Sequence, residues 1–61
     1  MTLEQLLAIT QFGTYITISV NDSNREFVYD LSINTNSAFI DLLNYTVKCV
    51  YVDNSRLMIE V

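Results

Sequence analysis

The fold of this 61-residue chain is decided by one stretch, Thr14-Tyr15-Ile16-Thr17-Ile18-Ser19-Val20-Asn21-Asp22-Ser23-Asn24-Arg25. Apolar side chains recur at every second position from Ile16 to Val20, which is the period of a β-strand with one buried face. The next four residues tolerate turn geometry or bond their own backbone, so the chain is expected to fold back. The stretch therefore predicts a strand over 14–20 and a hairpin whose second strand runs over 26–31.

A similar pattern returns near the C-terminus, in Tyr51-Val52-Asp53-Asn54-Ser55-Arg56. Strands are predicted over 46–52 and 56–61, joined by the Asx and serine turn between them. Each hairpin follows a Leu-Leu pair, Leu6-Leu7 or Leu42-Leu43. The chain therefore has the pattern of two α-β-β units, and shared turn chemistry explains the likeness better than a duplication.

Two helices are predicted ahead of the hairpins. Thr2 is followed three residues later by a glutamine, which is the spacing of a capping box, and Gly13 stands where a left-handed C-terminal residue is wanted. The first helix is therefore expected over about 3–11. The polar residues 34–37 supply N-caps for a second, shorter helix over 38–43.

These elements predict a single α+β domain over residues 1–61, with the order α-β-β-α-β-β. We expect a four-stranded antiparallel sheet with both helices on one face. Phe27, Tyr29 and Leu31 are expected to face the core. The strand over 46–52 is apolar on both sides, so it is expected to be either central or bulged.

The other face of such a sheet is expected to be apolar and exposed. An apolar patch of several hundred Å² seldom stays open to water on a small soluble protein, so this face is the predicted interface. The interface candidates are Tyr15, Val28, Val50 or Tyr51, and Met58.

Aromatic residues and the single cysteine divide between core and interface. Tyrosine is enriched at protein interfaces, so two of the four tyrosines are expected to lie in one. Phe12, Phe27 and Phe39 are expected in the core. Cys49 is expected to be a buried, inert thiol, with a disulfide between two copies as the alternative.

The small size of the chain limits its stability. A domain of this length buries only about 60% of the surface that its unfolded form exposes. One cysteine and no histidine leave no internal disulfide or structural zinc site. Tight packing or self-association must therefore stabilise the fold, and a homodimer is expected.

The formal net charge is −4, from seven acids against three cations. Three scattered cations cannot form the basic patch of a nucleic-acid binder, so direct nucleic-acid binding is not expected. The acids either keep the protein soluble or meet a basic partner. The partner-binding candidates are Asp22, Glu26, Asp30, Asp53 and Glu60.

Arg25 and Arg56 each follow a turn. Each guanidinium could bind the phosphate or carboxylate of a small anionic ligand. The alternative is that each arginine pairs with a nearby acid.

Catalytic and cofactor signatures are missing from the sequence. Without histidine, the usual nucleophile and base arrangements cannot be built, and one glycine makes no phosphate-binding loop. The carboxylate spacings match no metal-binding loop. We therefore expect no enzyme activity, no catalytic residue, no cofactor and no metal. No signal peptide or membrane span is predicted, so a cytoplasmic location is expected.

Two segments carry a resemblance to known proteins: Met1-Thr2-Leu3-Glu4-Gln5-Leu6-Leu7 at the start, and the closing hairpin from Val47 to Ile59. The hairpin has the pattern Val-x-Cys-Val-x-Val-Asp-Asn-x-x-Leu-x-Ile. With the Leu-Leu helix between them, they resemble small proteins encoded by phages and prophages of low-GC Gram-positive bacteria. The polar stretch from Ser32 to Ser37 departs from that pattern.

The resemblance implies a counter-defence protein, such as an anti-CRISPR protein, that inhibits a host protein by binding it. The expected partner is a nucleic-acid-binding effector in the host cytoplasm, met by the acidic and apolar surfaces. One alternative is a protein that sequesters a small anionic ligand at a dimer seam through Arg25, Arg56 and tyrosine and asparagine side chains. Another is a structural or assembly protein without a ligand.

Overall fold

A computed structural model describes the backbone of residues 1–61 and the side chains of all of them except Leu31 and Asn34. The predicted position of Leu31 in the core therefore lies outside the described side chains. The elements are α1 (Leu3–Leu7), β1 (Thr14–Val20), β2 (Ser23–Tyr29), a 3-10 helix (Leu31–Thr35), α2 (Ser37–Ile40), β3 (Cys49–Asp53) and β4 (Arg56–Glu60). This sequence of elements confirms the predicted α-β-β-α-β-β order.

The sheet is mixed, so the prediction of a fully antiparallel sheet is wrong. Its strand order is β2-β1-β4-β3. Each hairpin pairs antiparallel within itself, whereas β1 and β4 pair in parallel at the centre. The turns fix the pairing inside each hairpin, but burial decides how the two hairpins meet. The most buried strand residues, Ile16, Ile18 and Ile59, lie on β1 and β4, which therefore take the two central positions.

Both hairpins turn through two residues in the left-handed region. The φ angles are 49° and 66° at Asn21 and Asp22, and 51° and 64° at Asn54 and Ser55. Positive φ at both central residues is the signature of a type I′ turn, whose twist matches that of the strands. The turn is tighter than predicted, so β2 begins at Ser23 rather than at residue 26.

The capping box at the start of α1 is confirmed. The Gln5 N–H donates to Thr2 Oγ1 at 3.3 Å, and the Thr2 N–H donates to Gln5 Oε1 at 2.8 Å. The Leu3 N–H donates to the carbonyl oxygen of Tyr45 at 2.9 Å. The chain ahead of β3 therefore satisfies a second backbone donor of this helix end.

The first helix ends at Leu7, earlier than the predicted residue 11. Ile9 is 77% exposed, so it has no packing partner in the core. Packing usually supplies most of the stability of so short a helix, and here it stops at Leu7. Gly13 then adopts a φ of 92°, and its N–H donates to the carbonyl oxygen of Tyr29 at 2.7 Å.

The second helix is also shorter than the predicted range of 38–43. Asn36 is its N-cap, with a side chain that accepts from the N–H groups of Ala38 and Phe39 at 3.1 and 3.3 Å. After Ile40 the chain tightens, and the Leu42 N–H donates to the carbonyl oxygen of Phe39 at 2.9 Å. These turns keep Phe39 and Leu42 buried, although the helix is brief.

The core lies on one side of the sheet. Ile18 of β1 and Ile59 of β4 are direct partners in the register, so their side chains share a face. The side chains buried there come from the sheet and from both helices. They are Leu3, Leu7, Ile16, Ile18, Ile33, Phe39, Leu42 and Ile59.

Phenylalanines take different positions around this core. The rings of Phe27 and Phe39 meet edge to face at 5.4 Å between centroids. Phe12, predicted to be buried, is 55% exposed because it follows the end of α1, and it packs on the ring of Tyr29 at 5.0 Å. Among the described residues, no helix is long and apolar enough to cross a membrane.

The left-handed turn residues lead to a prediction about stability. Ser55 carries a Cβ at a φ of 64°, where a glycine avoids a steric cost of about 1–2 kcal/mol. Ser55→Gly is expected to raise the free energy of unfolding by about 0.5–1 kcal/mol in urea titrations, after allowing for the entropy of glycine. Ser23→Gly is the matched control, since Ser23 is an exposed strand residue; it should lower that free energy. Equal effects of the two variants would contradict the assigned turn.

Candidate protein-binding face

The register defines the face of the sheet that lies opposite the core, which we call the open face. Strand partners point to the same side, so the twelve side chains can be read from the three pairings. They form three rows across the four strands. They are Tyr15, Thr17 and Ser19 of β1; Asn24, Glu26 and Val28 of β2; Cys49, Tyr51 and Asp53 of β3; and Arg56, Met58 and Glu60 of β4.

An apolar band crosses the open face diagonally. Tyr15 and Val28 are direct partners on β1 and β2, and both side chains are exposed. Tyr51 and Met58 are direct partners on β3 and β4, with Tyr51 exposed and Met58 half-buried. Thr17 lies between the two pairs and is only 4% exposed. The register thus places four of the predicted interface residues together.

Val50 lies apart from this band. It is the partner of Ile59 in the register, so it points to the same side as the core. The expectation that its strand is central is wrong, because β3 is an edge strand and all five of its residues are exposed. Val50 and Val52 are 41% and 72% exposed, so the helices leave this margin uncovered.

One ion pair lies across the open face. A guanidinium nitrogen of Arg56 is 3.6 Å from a carboxylate oxygen of Glu26, two strands away. The guanidinium carbon is 5.6 Å from the ring centroid of Tyr15. Exposed pairs of this kind contribute less than about 1 kcal/mol to stability. Arg56 therefore pairs with a nearby acid, which is the second of the two roles predicted for the arginines.

The open face is acidic overall. Glu26, Asp53 and Glu60 lie on it against the single cation of Arg56. The other two partner-binding candidates lie elsewhere. Asp22 is in the turn at one end of the sheet, and the Asp30 carboxylate accepts from the Ser32 N–H at 2.9 Å at the start of the 3-10 helix.

The two arginines predicted to bind a ligand lie on opposite faces. Arg25 is the partner of Ile18, so it points to the side that carries the helices, whereas Arg56 lies on the open face. One chain therefore does not bring them together. Arg25 lines a groove of about 530 Å³ between the first hairpin and α2, together with Asp41 and Tyr45.

Cys49 is exposed, so the prediction of a buried thiol is wrong. The reason is the edge position of β3. Local desolvation raises the pKa of the thiol, and so do the hydrogen bond and the charge of its strand partner Glu60. A thiol with a raised pKa carries little thiolate at neutral pH and is a poor nucleophile. In the described residues, the acidic and thiol side chains form no group of three or more that could hold a metal ion.

Sequence reasoning missed two features of this region. The contact of Arg56 with Glu26 and Tyr15 depends on the parallel pairing of β1 with β4, which leaves no local signal in the sequence. The second feature is the exposed edge position of Val52. The apolar residues on both sides of this strand were a signal for it, because such a pattern also fits an edge strand with little cover.

No protein-family model, curated protein or solved structure matches this chain.

The environment of Cys49 leads to a prediction about thiol reactivity. Replacing the partner carboxylate in Glu60→Gln removes a charge that disfavours the thiolate, so the pKa of Cys49 is expected to fall. Alkylation by iodoacetamide at pH 8 should then be faster than in the wild-type protein. Glu4→Gln, which changes the same charge on α1, should leave the rate unchanged. Equal rates in all three proteins would show that Glu60 does not act on the thiol.

Proposed function

We propose that this protein binds another protein through the open face of its sheet and performs no catalysis of its own. The observation that carries this proposal is the apolar band of Tyr15, Val28, Tyr51 and Met58, which lies on the side opposite the core. Tyrosines supply large, rigid contact area together with a hydroxyl that can form hydrogen bonds, and such residues are enriched in interfaces. A sheet also holds them in place before binding, which lowers the entropy cost of association.

The charge of the open face supports a basic partner. Three carboxylates and one guanidinium surround the apolar band, and the whole chain has a formal charge of −4. Basic surfaces are typical of nucleic-acid-binding proteins, because they must neutralise phosphates. With the resemblance to phage proteins, this favours a nucleic-acid-binding effector of the host cytoplasm. The bound protein would inhibit that effector by occupying its nucleic-acid surface, as an anti-CRISPR protein does.

The size of the open face limits how it can bind. The whole chain exposes 4118 Å², so one face offers several hundred Å². A stable complex typically buries about 800 Å² on each partner. The contact is therefore expected to include the border of the sheet, including Asp53 and Glu60, and to depend strongly on a few central side chains.

A substitution in the band tests this proposal. Tyr15→Lys places a cation against a basic partner, so the affinity for a purified CRISPR effector is expected to fall by more than about tenfold. The same variant should no longer restore phage plating on an immune host. Ile9→Lys is the matched control, because Ile9 is exposed on the helix side, and it should behave as the wild-type protein does.

Asp53→Lys distinguishes the charge contribution from the apolar one. It should weaken binding by a few-fold, and the loss should shrink as salt is raised. A Tyr15→Lys variant with full activity would contradict the role of the open face. A wild-type protein that leaves immunity intact would contradict the choice of partner.

The groove beside Arg25 favours a second candidate function, the binding of a small anionic ligand. Its volume of about 530 Å³ lies within the usual range for small-molecule sites, about 300–1,000 Å³. Asn21, Ser23 and Ser37 line it beside the guanidinium and could donate hydrogen bonds to an anion. The carboxylate of Asp41 also lines the groove and opposes an anion there, which is why this candidate stands second.

Thermal unfolding with added anions tests this second candidate. If the groove binds inorganic phosphate or a nucleoside phosphate, that anion should raise the melting temperature of the wild-type protein. Arg25→Gln should lose the increase. Arg56→Gln should keep it, because Arg56 lies on the other face. A shift that survives in Arg25→Gln would exclude the groove, and the absence of any shift would leave the structural or assembly alternative.

A further inference from the structure

The two edges of the sheet differ in how they are protected. The outer strand β2 carries Asn24, Arg25 and Glu26, and charged side chains on an edge discourage pairing with another chain. The outer strand β3 carries no charge from Cys49 to Val52, and all of its residues are exposed. It lacks the usual protection of an edge strand.

The backbone of β3 offers hydrogen bonds on its outer side. The two-residue turn makes Asp53 and Arg56 a hydrogen-bonded pair, and such pairs alternate along an antiparallel ladder. Cys49, Tyr51 and Asp53 therefore bond to β4. The N–H and C=O groups of Val50 and Val52 point away from the sheet. These backbone groups can form hydrogen bonds only with water or with another extended chain.

We propose that β3 pairs antiparallel with β3 of a second copy, so that the two sheets become one continuous sheet. In the register centred on Tyr51, each Val50 lies opposite Val52 of the second copy. The outward N–H and C=O groups of both valines are then satisfied in both copies. This proposal does not depend on the partner of the open face.

The chain itself restricts the register. Just before β3, the Val47 N–H already donates to the carbonyl oxygen of Met1 at 2.8 Å. Thr2 and Thr46 also form an isolated antiparallel β-bridge there. The free part of the edge is therefore residues 49–53. The register centred on Tyr51 uses all of it in both copies, whereas any shift leaves part of it unpaired.

The side chains of β3 suit an antiparallel pair of identical strands. Branched side chains form favourable pairs across strands, and the valines of the two copies face each other in this register. Lys48 precedes the strand and Asp53 ends it, so antiparallel pairing brings opposite charges toward each other. Parallel pairing would instead place like charges side by side.

A contact of five residues is small compared with a stable dimer interface of about 1,200–2,000 Å². The protein is therefore expected to exchange between monomer and dimer. The fraction of dimer should increase as the concentration rises from about 10 µM to 1 mM. Sedimentation velocity over this range tests the proposal. Val52→Lys puts a charge on the edge and should remove the dimer, whereas Ile9→Lys, with the same change of charge, should not.

Disulfide formation tests the register directly. At the centre of the pair, the two Tyr51 residues are not hydrogen-bonded to each other, and their Cα atoms should lie about 4.5 Å apart, within disulfide range. In a Cys49→Ser background, Tyr51→Cys should form a covalent dimer under mild oxidation. Ile9→Cys in the same background should form at least tenfold less. The native Cys49 should also cross-link poorly, because the two copies of this residue should lie about 14 Å apart along the strands.

Three results would overturn the proposal. The first is a wild-type protein that stays monomeric up to a concentration of about 1 mM, which would mean a Kd for the dimer weaker than about 1 mM. The second is a Val52→Lys variant that dimerises as the wild-type protein does. The third is a native Cys49 that cross-links faster than Tyr51→Cys, which would require another register.

Discussion

The parallel contact between β1 and β4 is the constraint on which the rest of the structure depends. Ile16 and Ile18 lie opposite Leu57 and Ile59 along it. Because these two strands take the centre, their hairpin partners β2 and β3 become the two edges. The chain from residue 30 to 48 must then cross the whole sheet, and it carries α2 over one face as it does so. The open face and the free β3 edge both follow from that crossing.

The sequence predicts the hairpins well because their signals are local. The alternation around Ile16 and Ile18 and the turns at Asn21 and Asn54 each specify a strand pair within a few residues. How two hairpins meet is a different matter. Periodicity shows which side of a strand is apolar, but it holds no information on which strand lies beside it or in which direction. The parallel pairing of β1 with β4 could therefore not be predicted from the sequence.

The helices and β3 show the same limit. The capping box at Thr2 is a local signal and is confirmed, but the length of α1 depends on tertiary packing, and Ile9 is left exposed. The apolar pattern of β3 suggests a buried strand, yet the crossing chain leaves β3 uncovered. Val50 is exposed for that reason, whereas Cys49 is exposed because it lies on the open face of an edge strand. On the open face, the sequence could identify Tyr15 and Met58 by alternation, but not the contact of Arg56 with Glu26.

The two proposed surfaces meet at Tyr51. Its backbone bonds to β4, its side chain lies on the open face, and the neighbouring valines point their outer backbone groups away from the sheet. Pairing of two copies places both Tyr51 side chains at the centre of a doubled open face, flanked on each side by Met58. The doubled face offers twice the area of a single copy, which by itself only approaches the area that a typical complex buries on one partner. Pairing also adds contacts to a fold with few buried side chains, so binding of a partner across both copies would stabilise the dimer and the fold together.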